Sequence, residues 1–331
     1  MAMPLTKNFI LYDKHRRIIH LPAEYYGEAM KVKPDGFSHK VNLSPSQLES
    51  LQENGTLDDP MLRPLAKYGL VAESIHIPST TRNINFNNNE SWGYISVGKH
   101  NKSARPPIRV IFKLFASDSI DFSMKVSEYR AFLNNLEEFY VADVRQPFKL
   151  YKVMINQEIE FEQPQYHVPY GECALEFVKA GSIYGESLHT TQTIRQEGIL
   201  FNDKWAYGMG TLFDEDSWRY SFFNQQPRFY NAGTEEVKLI QQKESIIELK
   251  INQSASWFEI VDGKGTVFRL NKAVSTGDVL RIIGSEITLN GNNVIGETNY
   301  NFLIVSKGWN RWEIRNLDRY EFKIDFRFLY D

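Results

Sequence analysis

From Tyr320 to Tyr330 apolar and charged positions alternate. Tyr320, Phe322, Ile324, Phe326, Phe328 and Tyr330 fall on one side, and Glu321, Lys323, Asp325, Arg327 and Leu329 on the other. Successive side chains of a β-strand point to opposite faces, so the pattern predicts one strand with an aromatic face and a nearly all-charged back. Such a strand is stable only with its aromatic face against a second layer, which predicts a packed β domain. Burying four of those six side chains contributes roughly 6–12 kcal/mol, at about 1.5–3 kcal/mol each, before ordering entropy is subtracted.

The preceding hundred residues carry the same signal in shorter pieces. Val237–Ile240, Ser245–Ile251, Trp257–Val261, Thr266–Leu270, Val279–Ile283, Glu286–Leu289, Asn301–Val305 and Trp309–Ile314 read as strands. Their spacing of roughly ten residues, with turn chemistry at Asp262-Gly263 and Asn290-Gly291, predicts a β-sandwich.

The first part of the chain is more mixed. Phe9–Tyr12 and Arg17–Leu21 predict a hairpin around the basic turn Asp13-Lys-His-Arg16. Ser44-Pro-Ser-Gln47 and Asp59-Pro60 are cap-plus-proline signals for two short helical pieces, stopped at Gly55 and Gly69. Residues 75–107 alternate apolar and polar positions on either side of Asn87-Asn88-Asn89, which predicts a long hairpin arm. Phe86, Asn88, Trp92 and Tyr94 are its candidate inter-subunit contacts, since such an arm exposes aromatics unless something covers it. Packing of the arm on its own domain is the alternative.

Arg109–Phe115, Phe148–Ile155 and Cys173–Val178 predict further strands. Between the first two lies the one strong helical period, Ser127–Tyr140, with Ser127 as N-cap and Tyr129, Phe132, Leu133, Leu136 and Tyr140 as its stripe. Ser182–Asp203 lacks a firm period, which places the domain joint there: residues 1–203, with the 44–69 insertion and the 75–107 arm, then 204–331. The predicted class is mainly β with a minor helical part.

Composition agrees with a globular β protein. Aromatics make up 14% of 331 residues, with 22 Phe and 17 Tyr, which favours β structure and large buried interfaces. A net charge of -3 with interspersed signs gives no basic footprint for nucleic acid. No signal core and no 18-residue apolar run occur, so membrane insertion is not expected and synthesis in a cytosol is. Cys173 stands alone, which excludes an intrachain disulfide and reads as a small buried side chain.

Candidate chemistry is sparse. The histidines (15, 20, 39, 76, 100, 167 and 189) show no metal-ligand spacing, and no nucleophile elbow, phosphate loop or dinucleotide fingerprint is present. Asp214-Glu215-Asp216 lacks the glycine and distal glutamate of a calcium loop and reads as an acidic turn. No cofactor is expected, and a glycoside hydrolase is the weakest reading because no acid–base constellation emerges. Trp257, Trp309 and Trp312 raise the alternative of a carbohydrate-binding sandwich whose aromatic rings stack on pyranose rings. Trp309 and Trp312 are three apart, so on one strand they face opposite ways.

Four segments in order carry a resemblance: Trp218-Arg-Tyr-Ser-Phe-Phe223, Pro227-Arg-Phe-Tyr-Asn-Ala-Gly-Thr234, Lys307-Gly-Trp-Asn310 and Phe326-Arg-Phe-Leu-Tyr330. Together with the upstream strands and helix, they make residues 109–331 resemble the distal tail protein family of long-tailed, non-contractile phages of Gram-positive hosts. Phe229, Tyr230, Asn231, Gly233, Gly308, Trp309 and Asn310 are the residues on its motifs. The 44–69 segment has no counterpart in the family pattern, nor does the family's Arg-Asp-Gly turn appear around Ile75–Gly98. The resemblance implies a non-enzymatic hexameric ring at the distal end of the tail, joining the tail tube protein to tip, lysin and receptor-binding or fibre proteins. It implies a ring-forming first domain and a galectin-like second domain that serves as a docking platform.

Overall fold

The structure is a computed structural model. It describes residues 9–20, 70–89, 93–143, 145–146, 148–165, 168–197, 205, 208–212 and 214–331. The two helical pieces expected at 44–69 lie outside the described residues, as does Trp92. The chain falls into two compact units, residues 1–185 with Asp331, and Glu186–Tyr330.

In the first unit the strands are β1 (Phe9–Tyr12), β2 (Ile18–His20), β3 (Leu70–His76), β4 (Thr81–Asn89), β5 (Gly93–Ala104), β6 (Ile108–Phe115), β7 (Phe139–Asp143), β8 (Lys149–Ile155) and β9 (Tyr170–Lys179). All but β4 and β5 form one antiparallel path in the order β2-β1-β7-β8-β9-β6-β3. The sheet curls on itself. Phe9 of β1 meets Phe112 of β6 edge to face at 5.0 Å, although β7, β8 and β9 separate them in the pairing order. Strands β4 and β5 form the expected arm, paired from Thr81↔Ala104 to Asn89↔Gly93, with Phe86 opposite Ser96 and Asn88 opposite Tyr94.

Helix α1 runs from Ser119 to Asn134, which moves the expected Ser127–Tyr140 helix two turns toward the N-terminus. The Asp118 carboxylate accepts from the backbone N–H of Ile120 (2.9 Å) and Asp121 (2.8 Å), so it is the true cap. Ser127 sits inside the helix with its hydroxyl donating to the Ser123 carbonyl at 3.0 Å. The buried stripe is Phe122, Val126, Tyr129 and Leu133, while Tyr140 belongs to β7. Tyr129 packs edge-on against Phe112 and Phe161 at 5.4 and 5.3 Å. A Cβ on Gly171 would lie 2.7 Å from the Phe122 ring, so glycine lets the helix approach β9.

The second unit begins with β10 (Gly185–Ser187), which spans the junction, and α2 (Thr191–Glu197). Its other strands are β11 (Ser221–Phe223), β12 (Arg228–Asn231), β13 (Val237–Lys238), β14 (Ile246–Ile251), β15 (Phe258–Val261), β16 (Val267–Leu270), β17 (Val279–Ile283), β18 (Glu286–Leu289), β19 (Asn292–Asn293), β20 (Ile304–Val305), β21 (Gly308–Arg311), β22 (Glu313–Arg315), β23 (Tyr320–Asp325) and β24 (Leu329–Tyr330). One layer is the six-stranded sheet β11-β23-β14-β17-β18-β19, and another is β16-β15-β22, with β12–β21 and β13–β20 as two-stranded ribbons. Inside, Trp312 meets Phe229 at 5.2 Å and Phe322 of β23 at 6.0 Å, and Phe229 meets Phe326 at 6.2 Å. This is a β-sandwich closed by aromatic side chains.

All six aromatic-face residues of 320–330 are at most 2% exposed. The single strand expected there changes partners midway. Up to Asp325 it pairs with β14; beyond it, Phe326 and Phe328 accept from the N–H groups of Thr191 and Ser187 at 3.0 and 2.9 Å. The Asp325 carboxylate also accepts from the Thr191 hydroxyl (2.9 Å) and the Gln192 N–H (3.0 Å). These bonds hold α2 within the second unit, so the units part at Gly185/Glu186, ahead of the 203/204 division. Three other runs are shorter than expected, and of Asn301–Val305 only Ile304–Val305 is strand. Residues 239–241 form a 3-10 turn after β13, and Trp312 separates β21 from β22, which pair with β12 and β15 respectively.

Candidate functional site

The first unit holds a cleft of about 590 Å³, with Arg105, Asp143, Arg145, Lys149, Tyr151 and Asp331 on its walls. Arg105 is nearly buried: Nε donates to the Ile183 carbonyl at 2.8 Å, Nη2 reaches Asp331 Oδ1 at 3.1 Å, and the guanidinium lies 5.0 Å from the Tyr151 ring centroid. Arg145 and Asp143 form a two-pronged pair at 3.0 and 2.5 Å. Burial lowers the pKa of Lys149 and raises that of Tyr151. The guanidinium groups are already held by the chain's own carboxylates and carbonyls. The cleft is built as a braced polar corner.

Cys173 is 1% exposed, and burial pushes its thiol up to about 12, which makes it inert as a nucleophile. Asp214 caps a 3-10 turn through the Asp216 N–H at 3.1 Å, so the acidic run is a turn. Among the described residues no group of three or more His, Cys, Asp or Glu is placed to hold a metal ion. Among them, too, no helix is long and apolar enough to cross a membrane.

Apart from Gly233, which follows it, the motif residues of the second unit lie on the β12–β21 ribbon, where Phe229 faces Asn310, Tyr230 faces Trp309 and Asn231 faces Gly308. Alternation sends these positions to opposite sides. Phe229, Asn231 and Asn310 point inward and are at most 1% exposed. Asn310 makes bonds of 2.8 Å to both the N–H and the carbonyl of Ser306 and one of 3.0 Å to the Gly308 carbonyl. Asn231 accepts from the Gly233 N–H at 2.9 Å and donates to the Glu235 carbonyl at 3.0 Å. Gly308 takes φ 76, and a Cβ on Gly233 would meet the Leu329 carbonyl oxygen at 2.5 Å. These residues shape two tight turns.

Outward, the ribbon presents Arg228, Tyr230, Trp309 and Arg311. Tyr230 meets Trp309 at 5.4 Å with planes inclined by 62°, and the Arg228 guanidinium sits 4.3 Å from the Trp309 ring centroid. The sequence reading did not single out the two arginines. Their signal is the period of two, Arg228-x-Tyr230 and Trp309-x-Arg311, visible only once the two strands are set in register.

The three tryptophans proposed as a sugar platform are not one surface. Trp312 is buried at 2% exposed. Trp257 is half-buried with the Arg269 guanidinium 4.2 Å above its ring, and Trp309 carries Arg228 in the same way. Only Trp309 is substantially exposed, at 36%, so the three do not make a shared stacking platform. The arm positions Phe86, Asn88 and Tyr94 lie on β4 and β5, and the structure gives their register alone.

The first unit is thus a curled sheet with a packed helix, and the second an aromatic-cored sandwich. The chain is similar in structure to the crystal structure of SPP1 Dit, described as a paradigm of the hub adsorption apparatus in Gram-positive-infecting phages. The TM-score is 0.56 at 9% identity, covering 80% of this chain and 96% of that one. Phage p2 baseplate structures in the activated conformation, with Sr or with Ca, also align, at TM-scores of 0.36 and 0.37 and 12% identity, covering 78% of this chain and 90% of theirs. No protein family model matches the sequence, and no curated protein matches it.

Proposed function

We propose that this protein is the distal tail hub of a long-tailed phage, a hexameric ring that joins the tail tube protein to the tip, lysin and receptor-binding or fibre proteins. The observation that carries the reading is the shared fold over 96% of SPP1 Dit at 9% identity. It agrees with the ordered motifs of residues 218–330 that resemble the same family. On this reading the first unit forms the ring, the β4–β5 arm contacts a neighbouring copy, and the galectin-like sandwich receives tip proteins. A closed ring needs head-to-tail contacts, each burying on the order of 1,000 Å² or more. The role is structural and non-enzymatic, the protein resides at the distal end of the virion tail, and it binds no specific nucleic acid sequence. The carbohydrate-binding alternative draws no support from Trp257, Trp309 and Trp312, since two carry a stacked arginine and the third is buried.

The test is gold-labelled antibody against the second unit, applied to purified virions of the parent phage and viewed by electron microscopy. Label confined to the tail end is expected. Label on the capsid or along the tail shaft, or unlabelled virions, would overturn the assignment.

A further inference from the structure

The outer faces of the two large sheets in the second unit are neutralised by their own residues. On β14, Glu248 lies between Arg281 (2.8 Å) and Lys323 (3.9 Å). On β15, Glu259 lies between Arg269 (3.4 Å) and Arg315 (3.8 Å). In both rows a carboxylate separates two cations across three strands, the favourable order for cross-strand charges.

The β12–β21 ribbon breaks this rule. Arg228 stands directly opposite Arg311, both are exposed, and neither has a carboxylate within 4.0 Å among the described residues. Like charges placed opposite each other are unfavourable, and here they flank Tyr230 and Trp309. Arginine, tryptophan and tyrosine are the residues that carry most binding energy at protein interfaces. Trp309 is 36% exposed, with Arg228 on its ring and Tyr230 at its edge. A neutral saccharide would leave both guanidinium charges uncompensated, whereas a carboxylate-bearing chain would neutralise them and cover the rings.

We propose that Arg228, Tyr230, Trp309 and Arg311 form the docking point for an acidic segment of a partner tail protein. The proposal rests on the hub reading and names the chemistry of the partner that its second unit receives.

The test uses the full chain titrated with a soluble glutamate–tyrosine copolymer, and with polygalacturonate as an anionic glycan, while light scattering reports the mass of each sample. The copolymer is expected to bind in a salt-sensitive manner. Arg228→Gln/Arg311→Gln and Trp309→Ala should each weaken it by roughly tenfold or more, and a control, Lys238→Gln/Lys250→Gln, should not. Absence of copolymer binding, equal loss in the control, or tighter binding of polygalacturonate through the same residues would overturn the proposal. If the wild type keeps a ring mass while the copolymer fails to bind, the docking point falls and the hub stands. If the wild type never exceeds one chain, the hub reading itself fails.

Discussion

The Arg228 guanidinium lies 4.3 Å from the ring centroid of Trp309, on the outward side of a ribbon whose inward side carries Phe229 and Asn310. That contact is exposed, so it contributes about 0.5–1 kcal/mol to stability. Arg228→Ala should therefore lower the thermal midpoint by only a few degrees and change the tryptophan emission. A loss of folded protein would show that the ribbon's outer face is part of the core.

Phe326 behaves in the opposite way. It is 0% exposed and meets Tyr220, Phe229 and Phe328 at 6.0, 6.2 and 5.6 Å. Phe326→Asp buries an unpaired carboxylate and should abolish soluble folding. Phe326→Ala should cost about 3–5 kcal/mol and leave a folded but weakened protein. Circular dichroism with thermal and urea melts distinguishes the two, and a native-like melt for the aspartate variant would contradict this packing.

Gly233 tests the turn geometry. Gly233→Ala places a methyl 2.5 Å from the Leu329 carbonyl oxygen, where the neighbour is backbone, and should cost roughly 1–3 kcal/mol. Gly291, at φ 82 with nothing within 4 Å of an added Cβ, offers a comparison in which only backbone strain acts. Urea midpoints of the two alanine variants would show a larger shift for Gly233 if the close approach matters.

High pH should destabilise the fold. Burial raises the Cys173 thiol from 9.0 to about 12 and lifts Tyr129 and Tyr330 well above their ordinary 10.0. A group whose folded pKa is raised contributes its stability below the unfolded value and loses it as pH climbs toward the folded one. Stability should thus be level near pH 8 and decline from about pH 9 upward. Native protein at pH 8 should not react with a thiol reagent, whereas urea-unfolded protein should react fully. Rapid labelling of native Cys173 would contradict its burial.

Much of this architecture is written in short-range patterns. Tyr320–Tyr330 alternates apolar and charged positions save at Leu329, and its burial alternates throughout, across the change of partner at Phe326. Asn290-Gly291, at φ 53 and 82, folds back as its residue types require. The helix was displaced because Asp118 and Ser127 are both acceptable caps, and only the depth of Phe122 and Val126 in the packing decides between them. The outward ribbon face was hidden for a different reason. Arg228 and Arg311 are far apart in the chain, and nothing local reveals that they stand opposite each other.

A ring of six copies, as proposed above, has a mass and a symmetry that a single chain lacks. The most direct measurement is the mass of the purified full-length protein by size-exclusion chromatography with light scattering, joined to class averages of the same peak. The expected particle is six times 38.5 kDa, with six-fold symmetry and a central opening. A single chain of 38.5 kDa that persists at high concentration would contradict it.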